Sequence, residues 1–162
     1  MTISVGDTLP AGTLMKVGEN GPEPVSIESL SKGKKIVLFG LPGAFTSTCS
    51  SAHLPSFMRT AEAFKDKGVE DIICLSVNDP FVMDAWDKDT KASEAGVSLL
   101  ADPNGDVTVA MGLEFNVPEI GFNNRSQRYS ALIEDGVVKV LNLEESPGAC
   151  EISAGETLLN AM

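Results

Sequence analysis

The length and charge of the chain exclude several classes of protein. Its 162 residues are close to the ~150 residues of an average domain, so we expect a single domain over residues 1–162. Apolar residues make up 43% and charged residues 22%, which is the balance of an ordinary globular domain. A net charge of −11 argues against a nucleic-acid partner and against docking on an anionic membrane.

The N-terminal half of the chain alternates strand and helix patterns. Pro and Gly punctuate residues 1–35 and predict a short hairpin with its turn near Glu19–Pro22. The apolar run Ile36–Phe39 is typical of a central strand that is buried on both faces. Apolar residues then recur at helical spacing and predict an amphipathic helix that ends before Gly68: Leu54, Phe57, Met58, Ala61 and Phe64.

The middle of the chain continues the alternation. Ile72–Val77 predicts a second buried strand, and Asp79-Pro80 supplies an N-cap and a first-turn proline for the next helix. Val97–Leu100 predicts a third strand, and Asp102–Gly105 a turn that leads into a short helix.

The C-terminal part predicts a hairpin and a last helix. Arg128–Ile133 and Val137–Leu143 flank an Asp-Gly turn. Ser153 and Glu156 have the spacing of a capping box before a helix over Thr157–Met162. The whole order, β-α-β, then α-β-α, then β-β-α, is what an α/β thioredoxin-like core with an insertion would produce.

Cys49 is the main candidate for chemistry. It lies just after the first buried strand, in or near the first turn of a helix, where free N–H groups and the helix dipole favour a thiolate. Thr46 precedes it by three residues, so its hydroxyl can bond to the sulfur or to a bound oxygen. Pro42 stiffens the loop and shields the sulfur, while Pro55 predicts a kink inside the helix.

The segment around Cys49 resembles a known active site. Pro42-x-x-x-Thr46-x-x-Cys49 is similar to the PxxxTxxC motif of the peroxiredoxins, and PGAFTSTCSSAHLP resembles their type II, or atypical two-cysteine, branch. The strings ICLSVNDPFVMDAW, LLADPNGDVT and SQRYSALIEDGVVKVLNLEE extend the resemblance over the whole chain. Ser47 stands where that branch usually has Pro. The resemblance implies an α/β thioredoxin-like fold with a peroxiredoxin-type insertion and an N-terminal hairpin, and a homodimer.

The resemblance also implies thiol peroxidase chemistry without a cofactor or a metal. Cys49 would attack hydrogen peroxide or an organic hydroperoxide and become a sulfenic acid. Thr46, the Cys49 backbone N–H and Arg128 would hold the peroxide, and Pro42 would shape the pocket. Arg125 lies nearby, but Arg128 matches the family's position on the late strand.

His53 is the only histidine, and the resemblance places it near the active site without giving it a role. A structural or interface hydrogen bond is favoured over proton transfer. Cys49 and His53 have no clear third or fourth ligand beside them, which argues against a metal site.

The route by which Cys49 is recycled stays open. Cys150 lies in a loop before the last helix, a setting that suits a resolving cysteine. Cys74 lies inside an apolar strand, where a buried, inert thiol is the simpler reading, although some relatives have a cysteine there. Alternatively, an external thiol would resolve Cys49, with glutathione, glutaredoxin or thioredoxin as the reductant.

Two other functions compete with a peroxidase. A general thiol–disulfide oxidoreductase would need a second cysteine at CxxC spacing, where Ala52 stands. A redox-regulated binding or chaperone protein would respond to peroxide without turning it over. The first ten residues have no basic and no apolar stretch, so we expect no secretory signal and a cytoplasmic location. A mature organellar chain would look the same.

Overall fold

The computed structural model describes residues 1–162, which form nine strands and five α-helices. The strands are β1 (Thr13–Gly18), β2 (Gly21–Ser26), β3 (Lys35–Leu41), β4 (Asp71–Ser76), β5 (Val97–Ala101), β6 (Glu114–Val117), β7 (Phe122–Ser126), β8 (Tyr129–Glu134) and β9 (Val137–Leu143). The helices are α1 (Ile27–Ser31), α2 (Leu54–Asp66), α3 (Pro80–Thr90), α4 (Asp106–Ala110) and α5 (Gly155–Asn160). A π-helical turn, Cys49–His53, precedes α2, and a 3₁₀ turn, Pro118–Ile120, precedes β7.

One mixed sheet runs through the molecule in the order β2-β1-β5-β4-β3-β8-β9. Its central strands β3, β4 and β5 are parallel, and β8 pairs antiparallel with β3. Side chains of β3 alternate between two apolar clusters, with Ile36 and Leu38 on one face and Val37 and Phe39 on the other. Helices α2, α3 and α5 cover the second face, so β3 is buried on both sides, as the apolar run predicts.

Both predicted hairpins are present. The first turns at Glu19 and Asn20, and its prolines, Pro22 and Pro24, lie in β2 at the sheet edge, where a missing N–H is tolerated. The second joins β8 to β9 through Asp135 and Gly136, whose positive φ values of 49° and 77° fit an Asp-Gly turn.

The helix boundaries follow the predicted signals at α2 and α3. The periodic apolar positions form α2, and Gly68 follows it with a φ of 90°. The side chain of Asp79 caps α3 by accepting a hydrogen bond from the backbone N–H of Val82 at 2.8 Å.

The predicted capping box before the last helix is wrong. Helix α5 has Ala154 at its N-cap and no side-chain cap. The Ser153 hydroxyl instead donates to Glu144 at 2.8 Å, and Glu156 accepts from Arg59 at 2.9 Å. Long-range partners therefore outcompete the local reciprocal cap.

The predicted kink inside the helix at Pro55 is also wrong. Helix α2 begins at Leu54, so Pro55 occupies the first turn, where its missing N–H costs nothing. The irregularity lies just before it, in the π-helical turn, where the backbone N–H of Leu54 reaches the carbonyl of Cys49.

Two further features of the secondary structure bear on what the sequence predicted. None of the helices has the length and the apolar character that crossing a bilayer requires. The patterns did not predict β6 and β7, which pair in a separate two-stranded sheet.

Candidate active site

Cys49 is the first residue of the π-helical turn, at the end of the loop that leaves β3. Its side chain is fully buried. Two contacts from other elements hold this segment. The backbone N–H of Ala44 donates to the side chain of Asn78 at 3.0 Å, and the indole of Trp86 donates to the Ser50 hydroxyl at 3.1 Å. The nucleophile segment is thereby fixed to the end of β4 and to α3.

Arg128 lies just before β8, whose antiparallel pairing with β3 brings it to the edge from which the Cys49 loop departs. The guanidinium is buried and faces three acceptors. Nη2 donates to Sγ of Cys49 at 3.2 Å, Nη1 lies 3.1 Å from Nδ1 of His53, and Nε donates to the carbonyl of Pro147 at 2.9 Å. The fork is thus oriented by two neighbours and aimed at the sulfur by its third nitrogen.

His53 joins this cluster as a neutral side chain. Burial, and then the charge of Arg128, lower its pKa from 6.5 to about 3. Its Nε2 lies 3.1 Å from the carbonyl of Ser153, which only accepts, so Nε2 carries the proton and donates. Nδ1 is therefore unprotonated and accepts the hydrogen bond from Arg128. His53 has structural hydrogen bonds here, and they support the guanidinium.

Thr46 and Pro42 lie beside the cluster in different roles. The Thr46 hydroxyl donates to the carbonyl of Gly43 at 2.8 Å, so its proton does not point at the sulfur. Its oxygen lone pairs stay available to accept a hydrogen bond from a bound hydroperoxide. Pro42 is buried, and its carbonyl accepts from Nη1 of Arg125 at 2.9 Å.

A pocket of about 280 Å³ opens above Arg128. Its walls come from the Cys49 loop, from the β6–β7 ribbon and from the segment after β9: Pro42, Thr46, Ser47, Thr48, Phe115, Val117, Ile120, Phe122, Pro147 and Gly148. A larger cavity of about 330 Å³ lies between β1, β5 and α3, and none of the predicted site residues lines it. The smaller pocket, which Pro42, Thr46 and Arg128 line, is therefore the candidate binding site.

The other two cysteines have different surroundings. Cys74 is fully buried in β4, paired on both sides with β3 and β5, and burial raises its pKa well above the ordinary value. Cys150 is only partly buried and lies in segment 145–154, which has neither helix nor strand. Burial raises the pKa of Cys150 too, against smaller opposing effects of Ser153 and Arg128.

The sequence patterns assigned no role to two side chains that hold the site together. Arg125 stacks 4.5 Å from the centre of the Phe122 ring while it holds the Pro42 carbonyl. Thr48 donates to the carbonyl of Gly148 at 3.1 Å. The sequence places Arg125 close to Arg128, but on a ribbon that no periodicity revealed. The hydrogen bond of Thr48 needs a partner 100 residues away in the sequence, and no local pattern indicates that partner.

Comparisons with known proteins give the class of protein that this fold and site define. A family model described as Redoxin matches residues 4–159. Peroxiredoxin-2B of Arabidopsis thaliana is 45% identical over 161 residues, which are 99% of this chain and 98% of that protein. Peroxiredoxin-2C of Oryza sativa subsp. japonica is 48% identical over 161 residues, again with 99% and 98% covered.

Solved structures agree. The crystal structure of reduced Prx3 from Vibrio vulnificus in complex with H₂O₂ matches with a TM-score of 0.91 and 44% identity, covering 99% of each chain. The fold is therefore thioredoxin-like and of the redoxin class. The chain belongs to the peroxiredoxin family, in its type II branch, and is a thiol-dependent peroxidase. The resemblance drawn from the Cys49 motif is confirmed.

Proposed function

We propose that Cys49 is the peroxidatic nucleophile and that Arg128 and Thr46 hold the hydroperoxide over it. The observation that carries this proposal is the 3.2 Å hydrogen bond from the Arg128 guanidinium to the Cys49 sulfur inside a buried cluster. A cation at this distance favours negative charge on the sulfur, and it is also placed to meet the oxygen that the sulfur attacks.

The reaction is an attack on oxygen by the Cys49 thiolate. A sulfur–oxygen bond forms as the O–O bond of the hydroperoxide breaks, so the sulfur loses two electrons and the peroxide gains them. The leaving hydroxide or alkoxide takes up a proton and departs as water or an alcohol. Negative charge spreads over sulfur and both oxygens in the transition state, where the Arg128 fork and the Cys49 N–H would stabilise it. The lone pairs of Thr46 would accept the hydrogen bond of the attacked oxygen.

The pocket supports hydrogen peroxide and organic hydroperoxides as substrates. Apolar side chains of the β6–β7 ribbon and its 3₁₀ turn form one wall, among them Phe115, Ile120 and Phe122. An alkyl group bound there would leave the peroxide oxygens near Arg128. Comparing the oxidation rates with hydrogen peroxide and with a bulky hydroperoxide, before and after Ile120→Asp, tests this wall. Only the organic substrate should slow, and an equal change for both would refute the assignment.

We propose Cys150 as the internal resolving cysteine. Gly148, two residues before it, already accepts a hydrogen bond from Thr48, the residue before Cys49. Attack by the Cys150 thiol on the Cys49 sulfenic acid would form a disulfide and release water. Intact mass after one equivalent of H₂O₂ should show a loss of two hydrogens, absent in Cys150→Ser. A stable gain of one oxygen on Cys49 would instead assign resolution to an external thiol.

The disulfide would be reduced by thioredoxin, or by glutathione with glutaredoxin, in the reducing cytoplasm. Steady-state turnover with each reductant alone identifies the one that recycles the protein. A disulfide between Cys49 and Cys150 predicts faster turnover with thioredoxin than with the glutathione system. Thioredoxin carries two thiols on one protein, which together reduce both sulfurs of the disulfide. Turnover confined to the glutathione system would argue against the internal disulfide.

We propose a homodimer formed through the exposed phenylalanines near α3. Phe45 and Phe81 are among the large apolar side chains that stay exposed, by 54% and 62%. The Phe45 ring lies 6.4 Å from buried Trp86, so this surface adjoins the nucleophile segment. Sedimentation should give a dimer for the wild type and a monomer for Phe81→Glu. Phe122→Glu, on the β6–β7 ribbon, serves as the control, and identical dimers in all three would exclude this surface.

Multiple-turnover kinetics with peroxide and excess thiol test the proposed function as a whole. Cys49→Ser should retain the fold and lose turnover, whereas Cys74→Ser should retain turnover. Full activity in Cys49→Ser would refute the assignment of Cys49 as the nucleophile. A single turnover without recycling would favour a redox-regulated binding protein, and insulin reduction without peroxide would favour a general oxidoreductase.

A further inference from the structure

Glu144 is a buried carboxylate at the point where the chain leaves β9 and enters segment 145–154. Its Oε1 accepts three hydrogen bonds, from the backbone N–H of Glu151 at 2.6 Å, and from the backbone N–H and the hydroxyl of Ser153 at 2.8 Å each. None of the ion pairs of the structure includes Glu144. The hydrogen bonds that this carboxylate accepts therefore come from the C-terminal end of segment 145–154.

The backbone of Glu144 adds a fourth contact, to the active site itself. Its N–H donates to the carbonyl of Arg128 at 2.9 Å. Burial by itself raises the pKa of a carboxyl, but the hydrogen bonds from Ser153 and Glu151 outweigh it and leave the pKa of Glu144 below its ordinary value. The group is thus charged at neutral pH, and hydrogen bonds to a charged acceptor are the stronger kind.

Segment 145–154 matters because its backbone supports the cluster around Cys49. Three of its carbonyls contact side chains of the site: Pro147 with Arg128 Nε at 2.9 Å, Gly148 with Thr48 Oγ1 at 3.1 Å, and Ser153 with His53 Nε2 at 3.1 Å. A segment of turns has no ladder or helix to hold these carbonyls in place. The carboxylate of Glu144, the residue just before the segment, accepts hydrogen bonds from Glu151 and Ser153 and so ties the two ends of the segment together.

We propose that Glu144 is a positioning residue for peroxide attack, acting through segment 145–154 on Arg128 and His53. This inference rests on the proposed function of Cys49 and Arg128. Glu144 touches neither the sulfur nor the pocket. Its carboxylate holds Ser153, whose carbonyl orients His53 against Nη1 of Arg128. It also anchors the segment that carries the Pro147 carbonyl, the acceptor of Nε, so that Nη2 points at Sγ. Misplacing an orienting group by ~1 Å costs up to about a hundredfold in rate.

Three variants separate this role from general stability. Glu144→Ala removes the acceptor, and Glu144→Gln keeps an oxygen at the Oε1 position without the charge. Glu145→Ala, at the exposed neighbouring residue, is the matched control. The first measurement is the single-turnover rate of Cys49 oxidation by H₂O₂. The second is hydrogen exchange at Arg128 Nε–H, with the exposed Arg59 as an internal reference and the β3 amides as a monitor of global stability.

The oxidation rate should fall about tenfold or more in Glu144→Ala, with Glu144→Gln between this variant and the wild type. Arg128 Nε–H should exchange faster in the same order, while Arg59 and the β3 amides stay unchanged. If Glu144→Ala does not fold, the Gln variant alone must still show both effects.

Oxidation rates or Arg128 exchange equal to those of Glu145→Ala would overturn the inference, as would a rate loss accompanied by equal loss of β3 protection. If Cys49 of the wild type and of Glu145→Ala fails to react, the proposed function itself has failed, which is a different result.

Discussion

Arg128 and Cys49 meet inside the protein at 3.2 Å between Nη2 and Sγ, with the arginine 2% exposed and the cysteine 0%. A charge-assisted hydrogen bond in such a dry site is stronger than one in water, because the surrounding dielectric is low. His53 and Pro147 occupy the other two nitrogens, so the guanidinium has one orientation available. These contacts hold the Arg128 fork in place against the Cys49 sulfur.

Replacing Arg128 with Ala should slow the oxidation of Cys49 by H₂O₂ by roughly 10²–10³-fold, since it removes a donor aimed at the developing charge. Arg59→Ala is the control, because Arg59 is an exposed arginine that pairs only with Glu156. Stopped-flow oxidation of the reduced proteins measures both. An Arg128→Ala rate equal to that of Arg59→Ala would remove Arg128 from the mechanism.

Thr46→Val keeps the shape of the side chain but deletes the hydroxyl that donates to the carbonyl of Gly43 and that we propose accepts a hydrogen bond from the peroxide. The same oxidation rate should fall by roughly 10²-fold, as for loss of one stabilising group. Thr46→Ser retains the hydroxyl and should recover most of the rate. Equal rates in the Val and Ser variants would mean that the hydroxyl has no part in the reaction.

The buried neutral His53 should make stability depend on pH. Its pKa is about 3 in the fold and about 6.5 when unfolded, so the unfolded chain binds the proton first as the pH falls. Stability is fully present above about pH 6.5 and is lost towards pH 3, with a loss of about 2 kcal/mol near pH 5. Urea unfolding of the wild type and of His53→Gln, near pH 7.5 and pH 5, measures this difference. A variant with the same pH dependence as the wild type would contradict the neutral assignment.

Cys74→Ala should leave turnover intact and lower the free energy of unfolding by about 1–2 kcal/mol, because it opens a small cavity in the core. The thiol lies in β4 between two hydrogen-bonded strands and has no role in the proposed chemistry. Denaturant unfolding and steady-state turnover of the same preparation provide the comparison. Loss of turnover in the folded variant would reopen Cys74 as a resolving residue.

Local patterns predicted the sheet core and both hairpins because each depends on neighbours in sequence. The alternation inside β3 and the positive φ values at Asp135 and Gly136 are properties of a few consecutive residues. The capping box failed for the opposite reason. Ser153 has the right spacing for a cap, but its hydroxyl finds a buried carboxylate, Glu144, that only the folded chain brings near.

The candidate site divides in the same way. Cys49, Thr46 and Pro42 form one continuous motif, and the family resemblance added Arg128 from a distant strand. The resemblance also placed His53 nearby, but its tautomer depends on Ser153 and Arg128, which lie far away in sequence. Glu144 carried no signal, because an acidic residue after a strand is ordinary in a chain of this charge.

The central claim is that Cys49 is the sulfur that reacts with peroxide. Treating the fully reduced protein with one equivalent of H₂O₂ for a few seconds, followed by quenching and peptide mapping, tests it most directly. The account predicts that the oxidised sulfur is Cys49, as a sulfenic acid or as its disulfide with Cys150, while Cys74 stays reduced. A Cys49 that is still a free thiol, with the peroxide consumed elsewhere or not at all, would contradict the account.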